Sequence, residues 1–253
     1  MRTRTIAAAL VLGLALGAAP IGGESAHDVD VLVALGAGVA GTWETEFEFA
    51  NPDGNAATPV FAGEQEHPFV CITSPCGIVF ANLPLNGTAR LVTTPADFGR
   101  FTGRLFVGAD DAETLPTVKA RVVNRARPSQ TIELPLFRRS SIVALDPRVL
   151  SFPGAIRTAG AHSNLFVTEV GLSSPISVSV EAYASTGERV GGETVALGAG
   201  QTALLVDVLS RLGVTTLSEG QIRITKTGGG VMWGLLATVF DEGRVSVTPG
   251  THP

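Results

Sequence analysis

The sequence predicts an all-β protein: two tandem antiparallel β-sandwiches, Ig-like in layout and related by an internal repeat, behind a cleaved N-terminal signal peptide. Three observations carry that expectation. Short runs that alternate apolar and polar residues recur along the chain, and a half-buried strand has that period of two. The 253 residues include 30 glycines and 15 prolines, which punctuate the runs with turn chemistry. The pattern of the first half also returns in the second at a near-constant shift. Thr45, Phe47 and Phe49 reappear as Ser163, Leu165 and Val167, Gly103, Leu105 and Val107 as Gly220, Ile222 and Ile224, and Ala120 and Val122 as Ala237 and Val239.

Residues 1–26 read as the leader. Arg2 and Arg4 give a positive start, Ile6–Ala19 is apolar, and the small residues Gly17, Ala18 and Ala19 precede a cleavage expected between Ala18 and Ala26. The run is short for a membrane span of about 20 residues. Residues 31–41 are apolar but brief and broken by glycine, so no span is expected after cleavage.

The first module is expected over 31–147. Val31–Val39 leads into Thr42–Ala50, where Trp43, Thr45, Phe47 and Phe49 alternate with Glu44, Glu46 and Glu48. One face should be core and the glutamate face solvated. Asn51-Pro52-Asp53-Gly54-Asn55 is a turn. Short strands follow at Thr58–Phe61, Ile78–Leu83, Ala89–Thr93, Arg104–Val107, Thr117–Asn124 and Thr131–Phe137, with one helical turn at Thr94–Phe98. Cys71 and Cys76 flank Ile-Thr-Ser-Pro. Export implies an oxidising compartment, in which these near neighbours form a local disulfide that pins a loop.

A short linker is expected at Leu145–Gly154, stiffened by Pro147 and Pro153, and the second module over 148–250. Strands are expected at Asn164–Val170, Ser177–Ala184, Glu193–Leu197 and Thr202–Val206, then a helical turn over Asp207–Leu212 stopped by Gly213. Gly220–Gly250 reads as three consecutive strands. Gly228-Gly229-Gly230 and Asp241-Glu242-Gly243 turn the chain, and Val231, Trp233, Leu235, Ala237 and Val239 share one face. Trp43 and Trp233 both fall on expected core faces.

The segments Trp43–Pro52 (WETEFEFANP), Ala199–Gly213 (AGQTALLVDVLSRLG) and Gly229–Val239 (GG, then GLLATV) carry a resemblance. The chain resembles a tandem β-sandwich repeat family of exported bacterial proteins, over Val31 to Gly250. The resemblance implies the fold and an exported location. It brings no catalytic residues with it. The first half departs from it in the Cys loop and in a longer Arg125–Gln130 turn.

A net charge of −5 argues against nucleic acid, which selects a concentrated basic face. The histidines, His27, His67, His162 and His252, form no metal-binding spacing. Ser163 beside His162 cannot act as a nucleophile–base pair on a strand, because adjacent side chains point to opposite faces. No catalytic residue and no cofactor is assigned. Asp110, Asp111 and Glu113 form an oxygen-rich loop that could take Ca²⁺, as could Asn51, Asp53 and Asn55. A basic zone of Arg121, Arg125, Arg127, Arg138, Arg139, Arg148 and Arg157 either pairs with carboxylates or presents a ligand surface. Tyr183 is the aromatic residue beside a turn. The expected function is that of an exported, non-catalytic structural, adhesive or partner-binding protein in the periplasm, at the cell surface or outside the cell. A carbohydrate-binding module recognising an envelope or extracellular glycan is the alternative, so the expected partner is an unidentified protein or glycan at the cell envelope.

Overall fold

The computed structural model describes residues 29–33, 43–50, 57–65, 87–93, 101–109, 117–128, 131–137, 139–171 and 173–252. The expected leader, Cys71 and Cys76, both oxygen-rich loops, His27, His67 and Arg138 lie outside them. So do the strand expected at Ile78–Leu83, the helical turn at Thr94–Phe98 and the side chain of Trp43.

The protein is all-β, with antiparallel ladders throughout. The first half supplies β1 (Val29–Val33), β2 (Trp43–Ala50), β3 (Ala57–Gln65), β4 (Thr88–Thr93), β5 (Phe101–Ala109), β6 (Thr117–Asn124) and β7 (Thr131–Leu134). Helix α1 (Arg139–Leu145) follows. Then come β8 (Val149–Thr158), β9 (Ala161–Glu169), β10 (Ile176–Ala184), β11 (Arg189–Leu197) and β12 (Thr202–Leu205), helix α2 (Val208–Arg211), β13 (Leu217–Gly229), β14 (Met232–Phe240) and β15 (Val245–Pro249).

The halves share one pairing scheme. β4-β2-β6-β7 forms one sheet and β1-β5-β3 another. In the second half β12, β9, β14 and β15 pair in the first of these orders, and β8, β13 and β10 in the second, with β11 added on β10. The recurrence seen in the sequence is thus a recurrence of neighbours.

The second-half rows are joined at one corner. β8 pairs with β13 from Val149 to Arg157, but with β9 only at Arg157↔His162 and Thr158↔Ala161. The rows then face each other across one core. Ile176, Val178, Val180 and Ala182 of β10 point inward at 2% exposure or less, with Ile222 and Ile224 of β13 beside them. Leu165 and Val167 of β9 and Leu236 of β14 close it from the other side. Phe152 of β8, fully buried, sets its ring against Gly234 of β14 and Gly250. Those glycines leave room for the ring to reach across.

Several expectations are corrected. The linker expected at Leu145–Gly154 is largely β8: Pro153 sits in the ladder opposite Gln221. Helix α1, which the polar Arg-Ser-Ser start conceals, buries Ile142 in the core. Gly220–Gly250 does hold three consecutive strands, β13, β14 and β15, but the first two are not partners. β13 pairs with β10 and β8, β14 with β9 and β15, so the glycines after Thr227 carry the chain from one row to the other. Nor does β14 have one wet face. Its inward residues are Met232, Gly234 and Leu236, and Trp233 and Leu235 on the opposite face are also buried. Phe137 covers Trp233, ring centroids 4.6 Å apart. A strand buried on both faces shows no alternation.

The glutamate face of β2 is likewise covered at two of its three acids, Glu48 staying half-exposed. Glu44 and Glu46 are 7% and 5% exposed. They lie opposite Val123 and Arg121 on β6, on the face away from buried Ala120 and Val122. Arg121 Nε donates to Glu46 Oε2 at 2.5 Å, its Nη2 lies 3.0 Å from Glu48, and Arg125 pairs with Glu44. Covering carboxylates is tolerated because guanidinium groups come with them.

Helix α2 appears where a helical turn is expected. Asp207, at φ 42°, caps it: the carboxylate accepts from Ser210 N (3.3 Å) and from Arg157 Nε (3.0 Å). Asp207→Ala removes the cap, the ion pair and a residue type that tolerates left-handed backbone, so it should cost about 2 kcal/mol. Asp207→Asn, which keeps the cap, should cost less. Urea unfolding of both variants checks the order.

Candidate functional site

The outward face of β10, β13 and β8 carries two cross-strand rows. In one, Tyr183 lies opposite Gln221, which lies opposite Pro153; in the other, Glu181 lies opposite Arg223, which lies opposite Ser151. Period-two alternation puts these residues outward because Ala182, Ile222 and Phe152 between them point into the core. The β10–β11 ladder shifts register between Ala182 and Tyr183, and such a bulge re-aims the side chain it holds.

These residues line an open cleft of about 430 Å³, completed by Gly154, Ala184, Ser185, Gly187, Glu219 and Gly220. The Tyr183 hydroxyl donates to Glu181 Oε2 at 2.9 Å, and Glu181 Oε1 takes Arg189 Nε at 2.8 Å. Tyr183 is therefore tethered through its hydroxyl while its ring borders the cleft. The hydrogen bond to Glu181 raises the phenol pKa above its ordinary value of 10.0; partial burial and the Glu181 charge act in the same sense, Arg223 and Arg189 against it. The chain has 1 tyrosine, so its alkaline absorbance titration reports this group alone. Glu181→Gln should move that titration down toward the ordinary value, and an unmoved curve would show the hydrogen bond does not hold the proton.

The other residues singled out in the sequence fall elsewhere. Arg121 and Arg125 are engaged by Glu46, Glu48 and Glu44, and the Glu46 hydrogen bond raises the Arg121 pKa further. Arg127 donates to the Glu242 carbonyl, linking the turn after β6 to the β14–β15 turn. Arg139 opens α1. Arg157 joins Asp207 and the Thr215 carbonyl. Arg121, Arg125, Arg127 and Arg157 do not line the cleft that holds Tyr183. Ser163 is fully buried, accepting from Ile156 N (3.0 Å) and lying 3.1 Å from Thr238 Oγ1, while His162 is half-buried on the other face of β9. Among the described residues no three His, Cys, Asp or Glu side chains are grouped to hold a metal, and no helix is long and apolar enough to cross a membrane.

Sequence reasoning missed Gln221, Arg223 and Glu219. They are 36 to 40 positions from Tyr183, and nothing local in the sequence joins them to it. It also missed Glu169, whose carboxylate is fully buried at the end of β9. The period of β9 places it inward, in line with Leu165 and Val167. An acid at an inward position was the available signal.

No family model matches the chain, and no curated protein matches it. Among solved structures, the crystal structure of Thermotoga maritima 1070 is similar over 42% of this chain and 95% of its own, with 15% identity and a TM-score of 0.36. That score is too low to carry an argument about fold or function.

Proposed function

We propose that the chain is an exported, non-catalytic binding protein, made of two Ig-like β-sandwich modules that serve a structural, adhesive or partner-binding role at the cell envelope. The repeated pairing scheme supports the two-module reading, and the N-terminal basic and apolar run supports export. The likeness of Trp43–Pro52, Ala199–Gly213 and Gly229–Val239 to a repeat of exported bacterial proteins points the same way. The observation that carries the binding role is the Tyr183 cleft. Its aromatic ring is held on a sheet face by a hydrogen-bonded carboxylate that is itself ion-paired, which makes a fixed polar surface around an aromatic group.

The test is retention of the secreted, mature chain on envelope fractions and immobilised polysaccharides, with and without Ca²⁺. Saturable retention is expected. Absence of retention, or turnover of any of these materials, would overturn the proposal. The same preparation checks export: its N-terminus should lie between Ala18 and Ala26. Its cysteines should resist alkylation until reduced, since the proposal pairs Cys71 with Cys76.

A further inference from the structure

We infer that the Tyr183 cleft is a subsite for an uncharged, hydroxyl-rich sugar ring, set with its C–H face against the phenol and its edge hydroxyls toward Gln221, Glu219 and Arg223. This rests on the binding-module reading above and names its ligand class.

Charge is the first argument. The lining contains one carboxylate, Glu219, and one guanidinium, Arg223. The neighbouring Glu181 is matched by Arg189 and by the Tyr183 hydroxyl. With no net charge, the cleft offers little to an ion. It offers donors and acceptors together, which suits a ligand whose every polar group is both. Gln221 and Arg223 present planar donors, and Gln221 and Glu219 present acceptors, all along the one strand β13, for adjacent hydroxyls.

Shape is the second. Gly154 and Gly187 have φ of +80° and +86°, and a Cβ at either would meet nothing within 4 Å. The space above them is open, and left-handed backbone disfavours any side chain that would fill it. At about 430 Å³ the cleft falls in the lower part of the ~300–1,000 Å³ typical of small-ligand sites. It is open rather than enclosed, which suits a ring that is part of a longer chain.

Preorganisation is the third. The Tyr183 hydroxyl is tied to Glu181, so little side-chain freedom is lost when a ring stacks on it. The aromatic face carries negative charge density that attracts weakly positive C–H groups.

The experiment is calorimetry on the mature chain. The probes are neutral hexasaccharides of β-1,4-glucose, β-1,4-xylose, β-1,4-mannose and β-1,4-N-acetylglucosamine, with an acidic hexagalacturonate beside them. At least one neutral probe should bind, and its saturation should displace the alkaline titration of the lone tyrosine. Tyr183→Ala should weaken binding by about ten- to a hundredfold, the usual worth of a stacking ring, and Tyr183→Phe by much less. Arg223→Ala is the second variant, on an exposed side chain outside the core, and should weaken binding without loss of fold by near-UV circular dichroism. The inference fails if no neutral probe binds, if hexagalacturonate alone binds, or if both Tyr183→Ala and Arg223→Ala bind as wild type. Failure here with retention on envelope fractions intact would leave the broader binding role standing. Loss of both would remove both.

Discussion

Glu169→Ala should lower the stability of this protein by about 3–5 kcal/mol, an unusually large effect for one surface-type residue. Glu169 is fully buried. Its Oε1 accepts from Gly171 N (2.7 Å) and Val231 N (3.2 Å), and its Oε2 from Gly200 N (2.7 Å). One carboxylate thereby ties the end of β9 to the β11–β12 turn and to the crossover between β13 and β14. Alanine removes these acceptor contacts at once and leaves a void. The site is shaped for the acid: a Cβ on Gly171 would lie 2.7 Å from Glu169 Oε1, and one on Gly230 would meet the Ser174 carbonyl at 2.7 Å. Glu169→Gln keeps one acceptor oxygen but turns an amide NH₂ toward backbone donors, so it should cost less than alanine yet more than about 1 kcal/mol. Urea unfolding at constant m checks both. A loss under about 1 kcal/mol for Glu169→Ala would show that the turns hold without it.

Phe152→Ala should cost a similar amount, about 3–5 kcal/mol, by loss of burial and opening of a cavity between the two rows. Phe152 is the large side chain of β8 that crosses to β14. Phe152→Leu, closer in volume, should cost less. The facing position is equally constrained. A Cβ on Gly234 would sit 2.7 Å from the Phe166 carbonyl and 3.0 Å from Phe152 Cζ. Gly234→Ala should therefore destabilise on its own. Combined with Phe152→Leu it should cost less than the two single losses together, because the ring contact is shared and only the carbonyl contact persists. Strict additivity in thermal or urea unfolding would mean the two do not touch.

Strand positions were largely legible from alternation and turn residues. β6 runs from Thr117 to Asn124, the bounds read from the pattern, and the turn around Asp207 was legible from its apolar spacing and its glycine stop. The recurrence of the first half in the second was also visible, and the pairing scheme repeats in the same way. The candidate site was legible only at Tyr183, through its place beside the Ser185-Thr186-Gly187 turn. Gln221 and Arg223 join it because β10 pairs with β13, a partnership that skips two strands and a helix in the chain.

The sequence by itself determined the all-β class, the position of strands such as β6 and β10, and many of the turns, because these follow from the local period of two and from residues that fix backbone angles. Only the tertiary structure decided which strands are neighbours and what covers each second face. A period of two says that a strand has two faces; it does not say whether water, an arginine or an aromatic ring lies over the outer one. For that reason Glu44 and Glu46 turned out covered by Arg125 and Arg121, Trp233 was buried from outside by Phe137, and the wet face of β13 became one wall of a cleft.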